Sequence, residues 1–172
     1  MAVGVNSIIQ VVGYKNSGKT TLIEKVIADL AKRGLRIGTI KHHGHATKLV
    51  SLDSGTDSWK HRQAGAAASL VMNEDGALQL QAAQEQKPSL DQLLAMYQTL
   101  DLDGVLVEGF KQEDYPKLII VKEESDLKLV ATLKQVEAIV TALPIKRVDL
   151  PVFHLNDAAR ISEWIITRWE KK

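Results

Sequence analysis

The sequence predicts an α/β fold of three layers, helices on both sides of a mostly parallel sheet, with one β-hairpin inserted. Three observations carry that expectation. Short apolar runs of the kind buried on both faces of a sheet alternate with segments of helical period along the whole chain. The first run leads through a glycine-bearing loop into an amphipathic helix and then a second run, a βαβ arrangement within about 30 residues. Asp75-Gly76 separates two further short apolar stretches, the signal of an antiparallel hairpin.

Ile8 to Val12 is the first buried strand and ends at Gly13. From Thr20 to Arg33, Leu22, Ile23, Val26, Ile27 and Leu30 recur at helical spacing, and Gly34 marks the stop. Leu35 to Ile40 follows as a second strand, expected to form a parallel pair with the first. Lys41 to Thr56, rich in histidine, glycine and polar residues, reads as a long loop. Asp57 can cap a helix reaching about Gly65. Ser69 to Met72 and Ala77 to Leu80 are the arms of the hairpin, and Pro88-Ser89 opens a helix through Leu93, Leu94 and Tyr97. Val105 to Val107, Leu118 to Val121, Ala138 to Thr141 and Val152 to His154 are the remaining strands, and Ala158 to Trp169 is a closing helix.

Composition narrows the functions. At 172 residues the chain fits a single domain, 1–172, that buries a core without staples. The absence of cysteine excludes a disulfide framework, a thiolate metal site and a cysteine nucleophile. Lys+Arg of 22 against Asp+Glu of 21 leaves a net charge of +1, so no bulk field attracts nucleic acid or an anionic membrane. The first six residues lack the basic and apolar regions of a signal peptide, and no apolar run approaches the ~18 residues of a bilayer span. A cytoplasmic protein is expected.

Gly13-Tyr14-Lys15-Asn16-Ser17-Gly18-Lys19-Thr20 fits G-x-x-x-x-G-K-[ST], the phosphate-binding P-loop. Its glycines let the backbone turn so that successive N–H groups, through Lys15, Asn16 and Ser17, aim at phosphate oxygens. The following helix adds the partial positive charge of its N-terminus. Lys19 reaches the β- and γ-phosphates and the Thr20 hydroxyl holds Mg²⁺. Given 11 Gly, 16 Lys and 18 Ser+Thr, such a match arises by chance in about one chain of 150. Its position between a buried strand and an amphipathic helix is what the mechanism requires. Such a fold is that of a P-loop NTPase.

A P-loop site also needs a carboxylate near the metal. Asp101 and Asp103 precede the apolar part of their strand, whereas Glu108 follows it, at the carboxyl end where open α/β sheets bind ligands. Glu108 is therefore the expected Mg²⁺-directed group, and Gly109 lets the backbone approach a γ-phosphate. His42, His43 and His45 share a loop at the same sheet edge and read either as a metal site or as a polar loop that meets a substrate. Asp53 and Asp57 are available to join the Mg²⁺ shell or position a water. No Asn-Lys-x-Asp follows a late strand, so the residues alone leave GTP and ATP unseparated. Trp164 and Trp169 read as packing or interface residues.

Five pieces in order resemble the molybdopterin-guanine dinucleotide biosynthesis protein B family: Gly13 to Thr21, Ile40-Lys41-His42 to His45, Gly55-Thr56-Asp57-Ser58 through Arg62 to Ala64-Gly65-Ala66, Leu106-Val107-Glu108-Gly109-Phe110-Lys111, and Leu150-Pro151-Val152-Phe153. The resemblance implies a GTP-binding accessory protein of the signal-recognition-particle, MinD and BioD class. It would assist a MobA-type guanylyltransferase that attaches GMP to molybdopterin, hydrolyse GTP weakly with Mg²⁺, and form a homodimer. It places Gly13, Gly18, Lys19, Thr20 and Thr21 on the nucleotide, Glu108 on the acidic metal position and Asp57 on the loop aspartate. Lys19, Asp57 and Glu108 are then the groups acting in hydrolysis. Tyr14 stands where the class often has a second lysine. A nickel-insertion GTPase and a BioD-type ATP-dependent ligase or kinase are the competing readings. For the dimer, the 69–80 hairpin is the expected interface through Val71, Met72, Leu78 and Leu80, with the Trp164–Trp169 helix second.

Overall fold

The structure, a computed structural model, describes residues 7–42, 49–145 and 149–170. The chain divides into two compact units, Met1–His43 with Leu90–Lys172, and Gly44–Ser89.

The larger unit is built on strands β1 (Ile8–Val12) and β2 (Ile37–Lys41), joined by helix α1 (Lys19–Lys32). The smaller unit carries α2 (Asp57–Gln63), β3 (Ala68–Met72) and β4 (Leu78–Ala82). The larger then resumes with α3 (Leu90–Met96), β5 (Gly104–Glu108), β6 (Lys117–Val121), α4 (Lys128–Thr132), β7 (Val136–Thr141), β8 (Val152–His154) and α5 (Ala158–Glu170). Its six strands run in the order β2-β5-β1-β6-β7-β8, every pairing parallel.

Side-chain alternation assembles the layers. Ile9 and Val11 of β1, Leu106 of β5 and Leu118 and Ile120 of β6 pack with Leu22, Val26 and Leu30 of α1 and Ile161, Ile165 and Trp169 of α5. The alternate residues serve the other face, where Ile8, Val105 and Val107 meet Leu90 of α3 and Val12, Ile119 and Ile139 meet Leu129 of α4. The expected three layers are thus present.

Three expectations are corrected. β1 and β2 are parallel but not a pair, because β5 lies between them. β5 is buried along its first four residues and needs a neighbour on each edge, whereas β2 exposes Thr39 and Lys41 and suits the sheet edge. The cap of α2 is Thr56, not Asp57: the Thr56 hydroxyl accepts from the Trp59 N–H. Helix α4 and the 3₁₀ turn before it, Glu124–Leu127, are absent from the sequence reading. A five-residue helix shows little period, and this segment is organised instead by a reciprocal cap between Glu123 and Asp126.

In the smaller unit the hairpin forms its own two-stranded sheet, with Leu70 opposite Leu80 and Met72 opposite Leu78. Arg62 of α2 ties the unit together. Its guanidinium donates to both oxygens of the buried Asp53 carboxylate, at 2.5 and 3.0 Å, and to the Ser69 hydroxyl of β3. Ser58 also donates to Asp53, at 2.6 Å.

Candidate functional site

The loop between β1 and α1 is shaped by sterics. A Cβ on Gly13 would lie 2.7 Å from the Ser17 hydroxyl and 3.1 Å from the Ile120 carbonyl, so the first motif position tolerates only glycine. Asn16 and Gly18 take φ of 58° and 92°, left-handed conformations that turn the chain sharply between β1 and α1. Ser17 is buried, and its hydroxyl has no hydrogen-bond partner among the described residues. Lys122 closes the loop from outside, its ammonium 3.5 Å from the Asn16 carbonyl. Lys15 is exposed in the loop, and Thr21 is exposed on the first turn of α1.

Helix α1 starts without a capping side chain, since Gly18 precedes it. A cap contributes about 1 kcal/mol. Burial of Leu22, Ile23, Val26 and Leu30 contributes about 1.5–3 kcal/mol for each side chain, so the helix forms without one. Its first N–H groups have no capping side chain, the arrangement that suits an anion.

Lys19, the first residue of α1, folds back and donates to the carbonyls of Tyr14 at 2.6 Å and Gly13 at 3.2 Å. Burial lowers its pKa from the ordinary lysine value; Glu108 opposes that shift, and Lys41 and Lys111 reinforce it. One residue on, the Thr20 hydroxyl lies 3.0 and 3.1 Å from the two Glu108 oxygens and donates to that carboxylate. Lys41, at the end of β2, completes the group: its ammonium is 3.1 Å from a Glu108 oxygen and donates to the Thr20 hydroxyl at 3.1 Å. Two hard oxygen ligands therefore flank one position beside the loop, a donor set of the kind that suits Mg²⁺.

The exit from β5 is also fixed. Gly109 has φ 93°, and a Cβ there would sit 3.1 Å from that of His42. The His42 N–H donates to the Glu108 carbonyl at 2.9 Å, and the His42 and Phe110 rings are 4.9 Å apart. Phe110 is left-handed too, and the fully buried Gln10 amide donates to its carbonyl at 2.7 Å. Gln10 is the one polar residue within β1; that break in an apolar strand was the only signal for its role.

The structure thus gathers Gly13 to Thr21 and Glu108 in one unit, as the sequence predicts; it adds Lys41, which the sequence placed at this sheet edge without a role, and Gln10, which it did not single out. Asp57 opens α2 in the smaller unit, exposed and paired with Lys60 at 2.9 Å. Asp53, offered as a metal or water ligand, is committed to Arg62. Arg62 first, then Ser58, holds its carboxyl well below the usual carboxylate range. Asp103 and Asp101 bind the Arg36 backbone N–H and guanidinium at the far end of β5, as their sequence position implies. His43 and His45 lie outside the described residues, so the histidine-cluster reading is not addressed by the fold. Among the described residues no three His, Asp or Glu side chains gather as a metal site. Trp169 is core, its ring filling the space a Cβ on Gly104 would take, and Trp164 packs on Phe153. No helix among the described residues is long and apolar enough to cross a membrane.

Comparison with known proteins gives one answer. The family profile for molybdopterin guanine dinucleotide synthesis protein B matches residues 8–142. A probable molybdopterin-guanine dinucleotide biosynthesis adapter protein of Bacillus subtilis is 36% identical over 156 residues, covering 90% of this chain and 88% of its own. The corresponding adapter protein of Haemophilus influenzae is 33% identical over 159 residues, 92% of this chain and 86% of its own. Among solved structures, a crystal structure of Bacillus subtilis MobB superposes with a TM-score of 0.79 at 35% identity, covering 96% of this chain and 99% of that one.

Proposed function

The chain belongs to the molybdopterin guanine dinucleotide synthesis protein B family, and on that premise we propose that it binds GTP with Mg²⁺ and serves as an adapter to the enzyme joining GMP to molybdopterin. The observation that carries the nucleotide part is the Thr20 hydroxyl set 3.0 and 3.1 Å from both Glu108 oxygens, one residue after Lys19 at an uncapped helix start. In this reading the backbone from Gly13 to Thr20, with Lys15, Asn16, Ser17 and Thr21 around it, cradles the phosphates. Lys19 leaves the loop carbonyls for the β- and γ-phosphates, and the Ser17 hydroxyl, without a partner among the described residues, is a further donor inside the loop. Thr20 and Glu108 hold the metal, which supplies charge neutralisation on the transferring phosphate. Lys19 and Glu108 act in a weak hydrolysis, and the loop-aspartate role of Asp57, in the smaller unit, rests on the family resemblance alone.

The preference for guanine over adenine and the partnership with a MobA-type guanylyltransferase and with molybdopterin rest on the family. A homodimer is supported by this chain itself. Leu70, Met72, Leu78 and Leu80 occupy one face of the hairpin and are all at least half exposed, an apolar surface that a second copy can cover around a two-fold axis. The experiment is a calorimetric titration with GTP and with ATP, each with and without Mg²⁺. GTP binding strengthened by Mg²⁺, and weaker ATP binding, is expected; equal affinity for both, or none for either, contradicts the assignment.

A further inference from the structure

Among the described residues, Lys41 is the one basic side chain that touches both oxygen ligands of the site just described. Its position is set by the backbone: Lys41 stands opposite Glu108 in the parallel β2–β5 register, and the neighbouring His42 N–H binds the Glu108 carbonyl. From there the ammonium reaches a Glu108 oxygen and the Thr20 hydroxyl at 3.1 Å each, while that hydroxyl is 3.0 Å from the same carboxylate. Any cation bound by both Thr20 and Glu108 would lie within a few ångströms of the lysine nitrogen, and like charges that close repel.

We propose that Lys41 is the resident counter-cation of the site, its ammonium and a divalent metal competing for one position between Thr20 and Glu108. The inference rests on the reading of that pair as the metal ligands. Exposure decides which partner yields. The Glu108 side chain is 14% exposed and held, whereas that of Lys41 is 53% exposed on an edge strand and can swing into solvent. The lysine therefore neutralises the carboxylate and opposes a bare metal ion. A metal that arrives with a nucleotide meets less opposition, because the phosphates offer the displaced ammonium a new anionic partner. Lys41 in this way ties metal entry to nucleotide entry.

The test is a Mn²⁺ titration, read by the loss of the free-ion resonance, of wild type, Lys41→Met and Lys41→Arg, each alone and with a non-hydrolysable GTP analogue. Without nucleotide, Lys41→Met should bind Mn²⁺ roughly tenfold more tightly than wild type, the size of relieving one like-charge contact at a half-exposed position. Lys41→Arg should behave as wild type, and the gain in Lys41→Met should shrink with the analogue. Equal Mn²⁺ affinity in all three proteins, or no Mn²⁺ binding to Lys41→Met in either condition, overturns the inference. The double variant Lys41→Met/Glu108→Gln separates this from the underlying site: if Lys41→Met gains nothing yet Glu108→Gln weakens binding, the ligand pair stands and the competition fails. If the double variant binds as tightly as Lys41→Met, the metal does not use Glu108 and both fail.

Discussion

At the scale of single residues, the site is a small set of charges, Lys19, Lys41 and Glu108, gathered beside the loop between β1 and α1. Among the described residues Lys19 bonds to the carbonyls of Gly13 and Tyr14 and to no core element, so Lys19→Ala should leave the fold intact while GTP affinity falls about ten- to a hundredfold, the worth of a charge-assisted phosphate contact. An unchanged GTP dissociation constant would remove the P-loop from the nucleotide site. Glu108→Gln keeps the size of the side chain and its bond with Thr20 but loses the negative charge. Hydrolysis should drop at least tenfold while GTP binding changes less than about threefold. Hydrolysis that survives Glu108→Gln and fails in Asp103→Asn would reverse the choice of carboxylate. Much of this was legible in the sequence, because the P-loop is local and its residue types follow from its chemistry. Lys41 was not: its partner is 67 positions away, and only β2–β5 pairing brings the two together.

At the scale of elements, the smaller unit depends on one ionic staple. Asp53 and Arg62 join the loop before α2 to the helix, and Arg62 continues to β3 through Ser69. The folded Asp53 carboxyl titrates below its unfolded value, so the stabilisation is fully present above the ordinary carboxylate pKa near 4 and is lost as pH falls below it. Hydrogen-exchange protection of the amides of residues 49–82 should hold from pH 7 to about 5 and fall together below about pH 4. In Arg62→Leu that cooperative acid step should be missing and the same amides less protected at neutral pH; identical profiles in the two proteins would show the staple to be idle. The elements themselves were readable to within a few residues, since strands buried on both faces and a helix with Leu22, Val26 and Leu30 on one side carry strong periodicity. The α2 cap was misplaced by one residue, because Thr56 and Asp57 are both good caps and only geometry selects the hydroxyl.

At the scale of the whole molecule, the sequence predicts three layers but not the order of strands, since placing β5 between β1 and β2 is a choice between distant partners that turns on which strand tolerates an edge. The hairpin shows the same limit. Its existence follows from Asp75-Gly76, but the register decides that Leu70, Met72, Leu78 and Leu80 share a face while Val71 lies on the other. Replacing Leu70, Met72, Leu78 and Leu80 by Thr should convert a dimer of about twice 19.0 kDa into a monomer by light scattering, with the larger unit still folded. A wild-type monomer would refute the dimer, and a dimer that persists would move its interface to the α5 helix. The central claim is that Thr20 and Glu108 hold the metal of a nucleotide cradled between β1 and α1. Its most direct test is a crystal structure of the protein with a non-hydrolysable GTP analogue and Mg²⁺. The account predicts the phosphates along the backbone from Gly13 to Thr20 and Mg²⁺ bound by the Thr20 hydroxyl and, directly or through one water, by Glu108; a nucleotide seated elsewhere, or a metal that engages neither side chain, would contradict it.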